Sequence, residues 1–336
     1  MSRISGAVGA LLLLAAGVVS ACGGGAGAAG GGNTKLTLVA YSTPREAYEK
    51  IIPAFEETRA GKGVSFDQSY GASGEQSRAV EAGLPADVVA FSLEPDVTRL
   101  VEAGQVDETW NQDQFEGMVT DSVVVLVVRK GNPENIRGWD DLTRDGIEVI
   151  TPNPFTSGGA RWNIMAAYGA QRKGGRTHQQ AVAYLKELFD HVAVQDKSAR
   201  DSLQTFAGGK GDVLLGYENE ALLAQKKGDQ IDYVVPEQTI LIENPVAVVS
   251  ESGSREKAAA FVDFLRSDRA QRIFGENGYR PVVESVLGEF DFPKPSGLFT
   301  IDDVGGWEDV TDRFFDRESG IVAEIETDLG VSTAST

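Results

Sequence analysis

From residue 35 onward, short runs of β-branched and apolar residues alternate with segments whose apolar residues recur at helical spacing. Leu36–Tyr41, Val64–Gln68, Ala86–Phe91, Val123–Val128, Ile147–Thr151, Val192–Gln195, Asp212–Tyr217 and Ile231–Val235 read as strands. Pro44–Thr58, Gly74–Ala82, Glu94–Glu102, Ala160–Arg172, His178–Leu188, Lys257–Arg266 and Arg269–Asn277 read as helices. This alternation predicts α/β layers around mostly parallel sheets. At 336 residues the chain exceeds one usual compact domain, so two are expected.

Composition removes several function classes. Fifty Asp and Glu face 31 Lys and Arg, for a formal net charge of −19. So acidic a surface argues against non-specific nucleic-acid binding and against adhesion to anionic lipid. One cysteine, Cys22, permits no intrachain disulfide or cysteine zinc cluster, and two histidines argue against a histidine-rich metal site. Nucleotide fingerprints are missing where a strand–helix junction needs them, and Gly71-Ala-Ser-Gly-Glu75 departs from the G-x-S-x-G nucleophile turn. No metal or cofactor is expected.

Residues 1–21 read as a secretory signal, with one charge at Arg3 and an apolar run shorter than the ~20 residues needed to span a bilayer. Val19-Ser20-Ala21-Cys22 resembles a bacterial lipobox, which would make Cys22 a lipidation site. Residues 22–33 then supply the lipidated cysteine and a Gly-rich tether with a reach of ~17–20 Å.

Strand ends carry the candidate chemistry, because open α/β sheets bind ligands where strands end and helices begin. Four junctions stand out: Tyr41–Glu46, Gly71–Glu75, Pro154–Trp162 and Asp196–Asp201. Thr43 and Glu46 have capping-box spacing. Each junction puts small or hydroxylic residues at a helix start, where unpaired N–H groups and the helix dipole favour an anion. Ser157-Gly158-Gly159 is the most specific of these, since paired glycines have little purely structural use there. Arg45, Arg161 and Arg200 are expected near such a pocket, and Arg78 in a surface ion pair.

Further segments make the chain resemble the periplasmic sulfate-binding proteins of sulfate/thiosulfate ABC importers. With Tyr41–Glu46 and Gly71–Gln76, they are Asp67–Ser69, Ala86–Val89, Leu126–Pro133, Trp139–Leu142, Ile150–Pro154 with Thr156–Asn163, Gly211–Leu214, Glu218–Ala221, Tyr279–Pro281, Leu298–Asp302 and Gly305–Trp307. The collinear match runs over about residues 35–315.

The resemblance implies a two-lobed, type II periplasmic-binding fold with a ligand cleft between lobes. Lobe one would be 34–121 plus 246–336, and lobe two 122–245, with crossings near Asp121–Val123 and Glu243–Val246. It implies sulfate held by neutral donors at Ser42, Ser73, Ser157, Gly158, Gly159 and Ala199. Ser42 stands where relatives often have Asp. Tyr217 stands where they often have a Trp, whose indole only donates; a tyrosine hydroxyl can also accept. The implied protein is a non-enzymatic, monomeric, extracytoplasmic binder, anchored by lipid alone, that serves a permease. Thiosulfate, molybdate or tungstate remain alternative ligands, and an ester hydrolase or a ligand-free lipoprotein alternative functions.

Overall fold

The computed structural model describes residues 34–331; the signal segment, Cys22 and the tether lie outside them. The chain begins with β1 (Thr34–Tyr41), α1 (Arg45–Glu56), β2 (Val64–Gly71), α2 (Ser73–Glu81), β3 (Val88–Ala90) and α3 (Glu94–Glu102). Next come β4 (Met118–Arg129), β5 (Val149–Pro152), α4 (Gly158–Lys173), α5 (His178–Asp190), β6 (Val192–Asp196), α6 (Ala199–Ala207) and β7 (Val213–Tyr217). Then follow α7 (Glu218–Lys227), β8 (Ile231–Val234), β9 (Gln238–Val248), α8 (Arg255–Leu265), α9 (Asp268–Glu276) and β10 (Arg280–Pro281). The last elements are α10 (Glu284–Leu287), β11 (Gly297–Phe299), α11 (Gly306–Phe315) and α12 (Ile321–Asp328).

Two cored bodies share two long strands. In the first body β1 pairs in parallel with β2 and β3, and β3 pairs antiparallel with β9. Leu36, Leu38 and Ala40 face a core with Tyr48, Phe55, Phe261 and Phe274, while Val39 faces the opposite side with Phe91, Val97 and Leu100. Helices thus cover both faces, which is why β1 is apolar at consecutive positions instead of alternating. The second body repeats the design. Val124, Leu126 and Val128 join a core with Trp162, Met165 and Leu185, whereas Val123, Val125 and Val127 face Phe206 and Ala221. Burying each of these valines is worth ~1.5–3 kcal/mol, so the run from Val123 to Val128 commits β4 to the sheet interior.

β4 and β9 run antiparallel through both bodies. β4 pairs with β9 up to Val123 and with β7 from Val124. β9 pairs with β11 up to Ile240, with β4 from Leu241 to Pro245, and with β3 from Val246. The sheets are therefore mixed, with antiparallel pairing concentrated on these two strands. β9 was not read from sequence as a strand, because Glu243, Asn244 and Pro245 interrupt its apolar run.

The C-terminal segment departs from the expected lobe assignment. Residues 297–331 were expected with the first body, yet β11 pairs with β9, and Trp307, Phe314, Phe315, Val322 and Ile325 fill the second core. Trp307 meets Trp162 edge-on at 4.7 Å, and Phe314 meets Tyr168 at 4.8 Å. The aromatic side of α4 and α5 needs this cover, so the chain crosses between the bodies a third time, back to the second. Among the described residues no helix is long and apolar enough to cross a membrane.

Candidate functional site

α2, α4 and α6 all begin at one small cavity of about 10 Å³, and the end of β1 and the start of α7 complete its wall. It is far too small for a drug-sized ligand, whose pockets run to roughly 300–1,000 Å³. Ser42, Ser73, Ser157, Gly159, Ala199 and Tyr217 all line it, so six of the seven residues proposed from sequence come together. The seventh, Gly158, stands behind the wall: a Cβ there would lie 2.7 Å from Leu93 and 2.8 Å from Ser92 Oγ. Among the described residues, no Asp, Glu, Lys, Arg or His lines the cavity.

The helix starts are open to a ligand. Ala72 and Ser157 occupy the N-cap positions of α2 and α4 in extended backbone, and neither makes a side-chain capping bond. First-turn N–H groups have no intrahelical acceptor. One of those on α2 is satisfied across the bodies, where Gly74 N–H donates to Thr156 O at 3.1 Å. α6 differs, because Ser198 Oγ accepts from Asp201 N–H and donates to Asp201 Oδ2 at 2.7 Å. The capping box expected at Thr43 and Glu46 does not form. Thr43 Oγ1 instead bonds the Tyr279 hydroxyl at 2.8 Å, and Glu46 is drawn to Arg200.

Hydroxyls at the site are already engaged in part. Ser73 Oγ donates to Asp96 Oδ2 at 2.5 Å and accepts from Ser92 N–H at 2.9 Å. What Ser73 offers the cavity is therefore its backbone N–H, not its hydroxyl. Ser92 is the hub of the wall. Its carbonyl accepts from Trp162 Nε1 and Asn244 Nδ2, each at 2.8 Å, and its Oγ lies 2.6 Å from the Tyr217 hydroxyl. Complete burial pushes the Tyr217 pKa well up, so this hydroxyl stays neutral. Tyr41 adds a buried hydroxyl with no partner at hydrogen-bonding geometry. Sequence reading missed Ser92, although Phe91-Ser92-Leu93 is a fifth strand-to-helix junction, between β3 and α3.

A wider groove of about 610 Å³ leads off beside the cavity and includes Arg45, Glu75, Lys197 and Arg200. Arg45 stacks over Tyr70 at 4.6 Å. Arg200 closes the groove. It donates to Glu46 of the first body at 2.7 and 2.9 Å and to Glu220 of the second at 3.0 and 2.9 Å, and it bonds Thr43 O at 3.1 Å. Lys227 also pairs with Glu46, and Lys197 pairs with Glu75 at 2.9 Å. Burial would raise the Glu46 pKa, but Arg200 and Lys227 outweigh it and hold the carboxyl at about 2. Glu220 is more deeply buried, and burial prevails there, pushing its pKa up despite Arg200.

Two arginines differ from expectation. Arg161 is not at the cavity: Nε donates to Pro154 O at 3.1 Å and the guanidinium lies over Phe315 at 4.9 Å. Burial lowers its pKa to about 10, which leaves it charged at neutral pH. Arg78 has no ion pair within 4 Å among the described residues; it lies half-buried on α2, where burial and the charges of Arg99 and Arg317 lower its pKa and Asp96 and Glu75 oppose them.

Residues 36–280 match the model of the bacterial extracellular solute-binding protein family. A sulfate-binding protein of Synechococcus elongatus is 44% identical over 84% of this chain and 83% of its own length. A thiosulfate-binding protein of Pseudomonas aeruginosa is 35% identical over 82% of this chain and 88% of its own. Among solved structures, the sulfate-binding protein SubI from Mycobacterium tuberculosis H37Rv superposes with a TM-score of 0.82 at 47% identity, covering 84% of this chain and 100% of that one. Architecture, collinear sequence and a closed site between two bodies agree: the chain belongs to the family of bacterial extracellular solute-binding proteins, alongside its sulfate-binding relatives.

Proposed function

We propose that this protein captures sulfate in the cavity between its two bodies, outside the cytoplasm, and delivers it unchanged to an ABC permease. The observation that carries this reading is the meeting of the uncapped starts of α2 and α4 with the start of α6 on a closed cavity without a charged side chain. Backbone N–H groups of the segments at Ser42, Ser73, Ser157–Gly159 and Ala199 would hold the anion, and Tyr217 would close one corner.

A donor-lined site suits a fully ionised dianion. Phosphate near neutral pH keeps a proton that needs an acceptor, and leaving a buried polar group unsatisfied costs ~1–3 kcal/mol. The acidic surface does not defeat capture, because exposed charges beyond ~8 Å are screened at physiological salt. Fixed N–H dipoles act at contact distance.

Ligand exchange would require the bodies to part, breaking the pairs of Arg200, Lys227 and Lys197 across the groove. The exposed rims of both bodies would then meet the permease. Cys22 would carry the lipid, and Cys22→Ser should move the protein from the membrane to the soluble fraction.

Calorimetric titration of anion-stripped protein tests the reading. One-to-one sulfate binding with little response to phosphate is expected. Binding of molybdate but not sulfate, or of no oxyanion, would overturn it. Thiosulfate is the second reading, favoured by the thiosulfate-binding relative and by the Ser92–Tyr217 hydroxyl pair, which is less restrictive than an indole donor.

A further inference from the structure

The cavity and the wider groove are continuous, because Ser42, Gly71, Ala72 and Ser198 line both. Each body supplies one lip of the groove. Arg45, Tyr70 and Glu75 stand on the first, and Lys197, Arg200 and Asp201 on the second. An anion that reaches the cavity along this groove passes between the lips, so any unbalanced charge on them acts on it before contact.

Most of the charge there is already matched. Lys197 pairs with Glu75 at 2.9 Å, and Arg200 lies between Glu46 and Glu220. Asp201 sits in the first turn of α6, where its Oδ2 accepts from Ser198 Oγ and the helix dipole favours a negative charge. Arg45 is the exception. It is exposed, and no carboxylate lies within 4 Å of it among the described residues. Glu46, its neighbour in the chain, is drawn to Arg200 and Lys227. The guanidinium of Arg45 is held instead over Tyr70, 4.6 Å from the ring centre. That contact fixes the side chain at the lip without neutralising it. Its position does not favour stability either. Arg45 is the first residue of α1, where the positive end of the helix dipole opposes a cation.

We infer that Arg45 is a steering residue: it draws a tetrahedral dianion into the groove and speeds its capture without holding it in the cavity. The inference rests on the reading of the cavity as an oxyanion site. Arg45 does not line the cavity, so its effect belongs to the approach and not to the bound state. A charge on the rim changes the association rate and its salt dependence, whereas a group bonded to the ligand changes release. With 50 acidic residues against 31 basic ones, the surface as a whole repels an anion at low salt. An unpaired cation at the mouth lowers that barrier where the anion must pass.

The test measures association of the anion-stripped protein with sulfate, thiosulfate and molybdate by stopped-flow tryptophan fluorescence. It is run at ionic strengths of ~0.01 M and ~1 M, where the screening length is ~30 Å and ~3 Å. Calorimetry supplies Kd, and the two together give the release rate. At low salt Arg45→Gln should associate about 2- to 10-fold more slowly than wild type, with release unchanged. The two rates should converge at high salt. Arg45→Lys keeps the charge and should retain most of the wild-type rate, whereas Arg45→Glu should fall below Arg45→Gln.

An unchanged association rate in Arg45→Gln at low salt would overturn the inference. So would a loss that persists at high salt, that appears in release, or that Arg45→Lys does not restore. Each of these outcomes leaves the cavity reading standing, since the anion still binds. Wild-type binding of thiosulfate or molybdate without sulfate overturns the sulfate assignment alone, and steering is then judged on the anion that binds. A wild type that binds none of the three overturns both.

Discussion

The Tyr217 hydroxyl lies 2.6 Å from Ser92 Oγ, and either oxygen can be the donor. The pair joins the two bodies, since Ser92 follows β3 and Tyr217 ends β7. One hydrogen is spent inside the pair, and the other is left to point at a ligand or away from it. Such a pair can thus offer a donor or an acceptor, unlike an indole. Tyr217→Trp should therefore lower affinity for phosphate and thiosulfate relative to sulfate, and Tyr217→Phe should cost ~0.5–1.5 kcal/mol of sulfate binding for the lost bond. Competition calorimetry with the three anions measures this; unchanged ratios in both variants would remove Tyr217 from selectivity.

Arg200 is the strongest tie across the groove. It is 17% exposed, between Glu220 at 4% and Glu46 at 19%. Removing one partner of a buried pair costs ~3–5 kcal/mol, because the other charge stays buried. Glu46 belongs to the first body and Arg200 to the second, so part of that loss falls on the closed arrangement. Arg200→Gln should speed sulfate release about tenfold or more, the equivalent of ~1.4 kcal/mol, and lower Tm. Stopped-flow release with an unchanged rate would show that the pairs do not hold the bodies shut.

The adjacent glycines should fail differently. A methyl at Gly158 meets Leu93 and Ser92 inside 3 Å, so Gly158→Ala must shift the wall and should cost ~1–3 kcal/mol of stability. A methyl at Gly159 meets Ala199 and Ser157 Oγ at 3.4 Å and Tyr217 at 3.5 Å. Gly159→Ala should leave Tm nearly intact while filling the cavity and removing sulfate binding. Calorimetric binding and thermal melting on both variants separate the two effects. Equal loss of Tm would contradict the geometry.

Asp121 gives the protein a pH dependence of its own. It stands opposite Glu243 on β9 and Arg280 on β10, where the chain crosses between bodies. Burial, with the charge of Glu243 added and Arg280 opposing, pushes its pKa from 3.8 up to about 8. The folded chain keeps a proton there that the unfolded chain releases. Stability from this group is full below the unfolded value and is lost as pH rises through about 8. Melting should fall between about pH 5 and 8.5, and Asp121→Asn should flatten that slope and raise Tm at the upper end by ~2–4 °C per kcal/mol relieved. A wild-type slope retained by Asp121→Asn would place the dependence elsewhere.

Much of this architecture is visible in the chain itself. The unbroken apolar run Val123–Val128 can only be a strand covered on both faces, and it is. Ser157-Gly158-Gly159 marked the start of α4 because glycines there invite close approach to the backbone. β9 was hidden, since its polar centre, Glu243 to Pro245, is buried by strand pairing that a local pattern does not reveal. The last helices were hidden as well: their apolar faces are short, and only the aromatic side of α4 shows what they cover.

Sequence alone determined the local half of the site. Which segments become strands, where helices start, and that small or hydroxylic residues stand at those starts depend on neighbours a few residues away. Tertiary structure decided what those starts do. Sheet order brings residues 42, 73, 157, 199 and 217 to one cavity although they are spread over half the chain. Packing also turned the Ser73 hydroxyl to Asp96, drew Glu46 from its helix cap to Arg200, and left Arg78 near other arginines without a close ion pair. These outcomes follow from burial and from partners distant in sequence, whose hydrogen-bond and charge demands appear only when the two bodies meet.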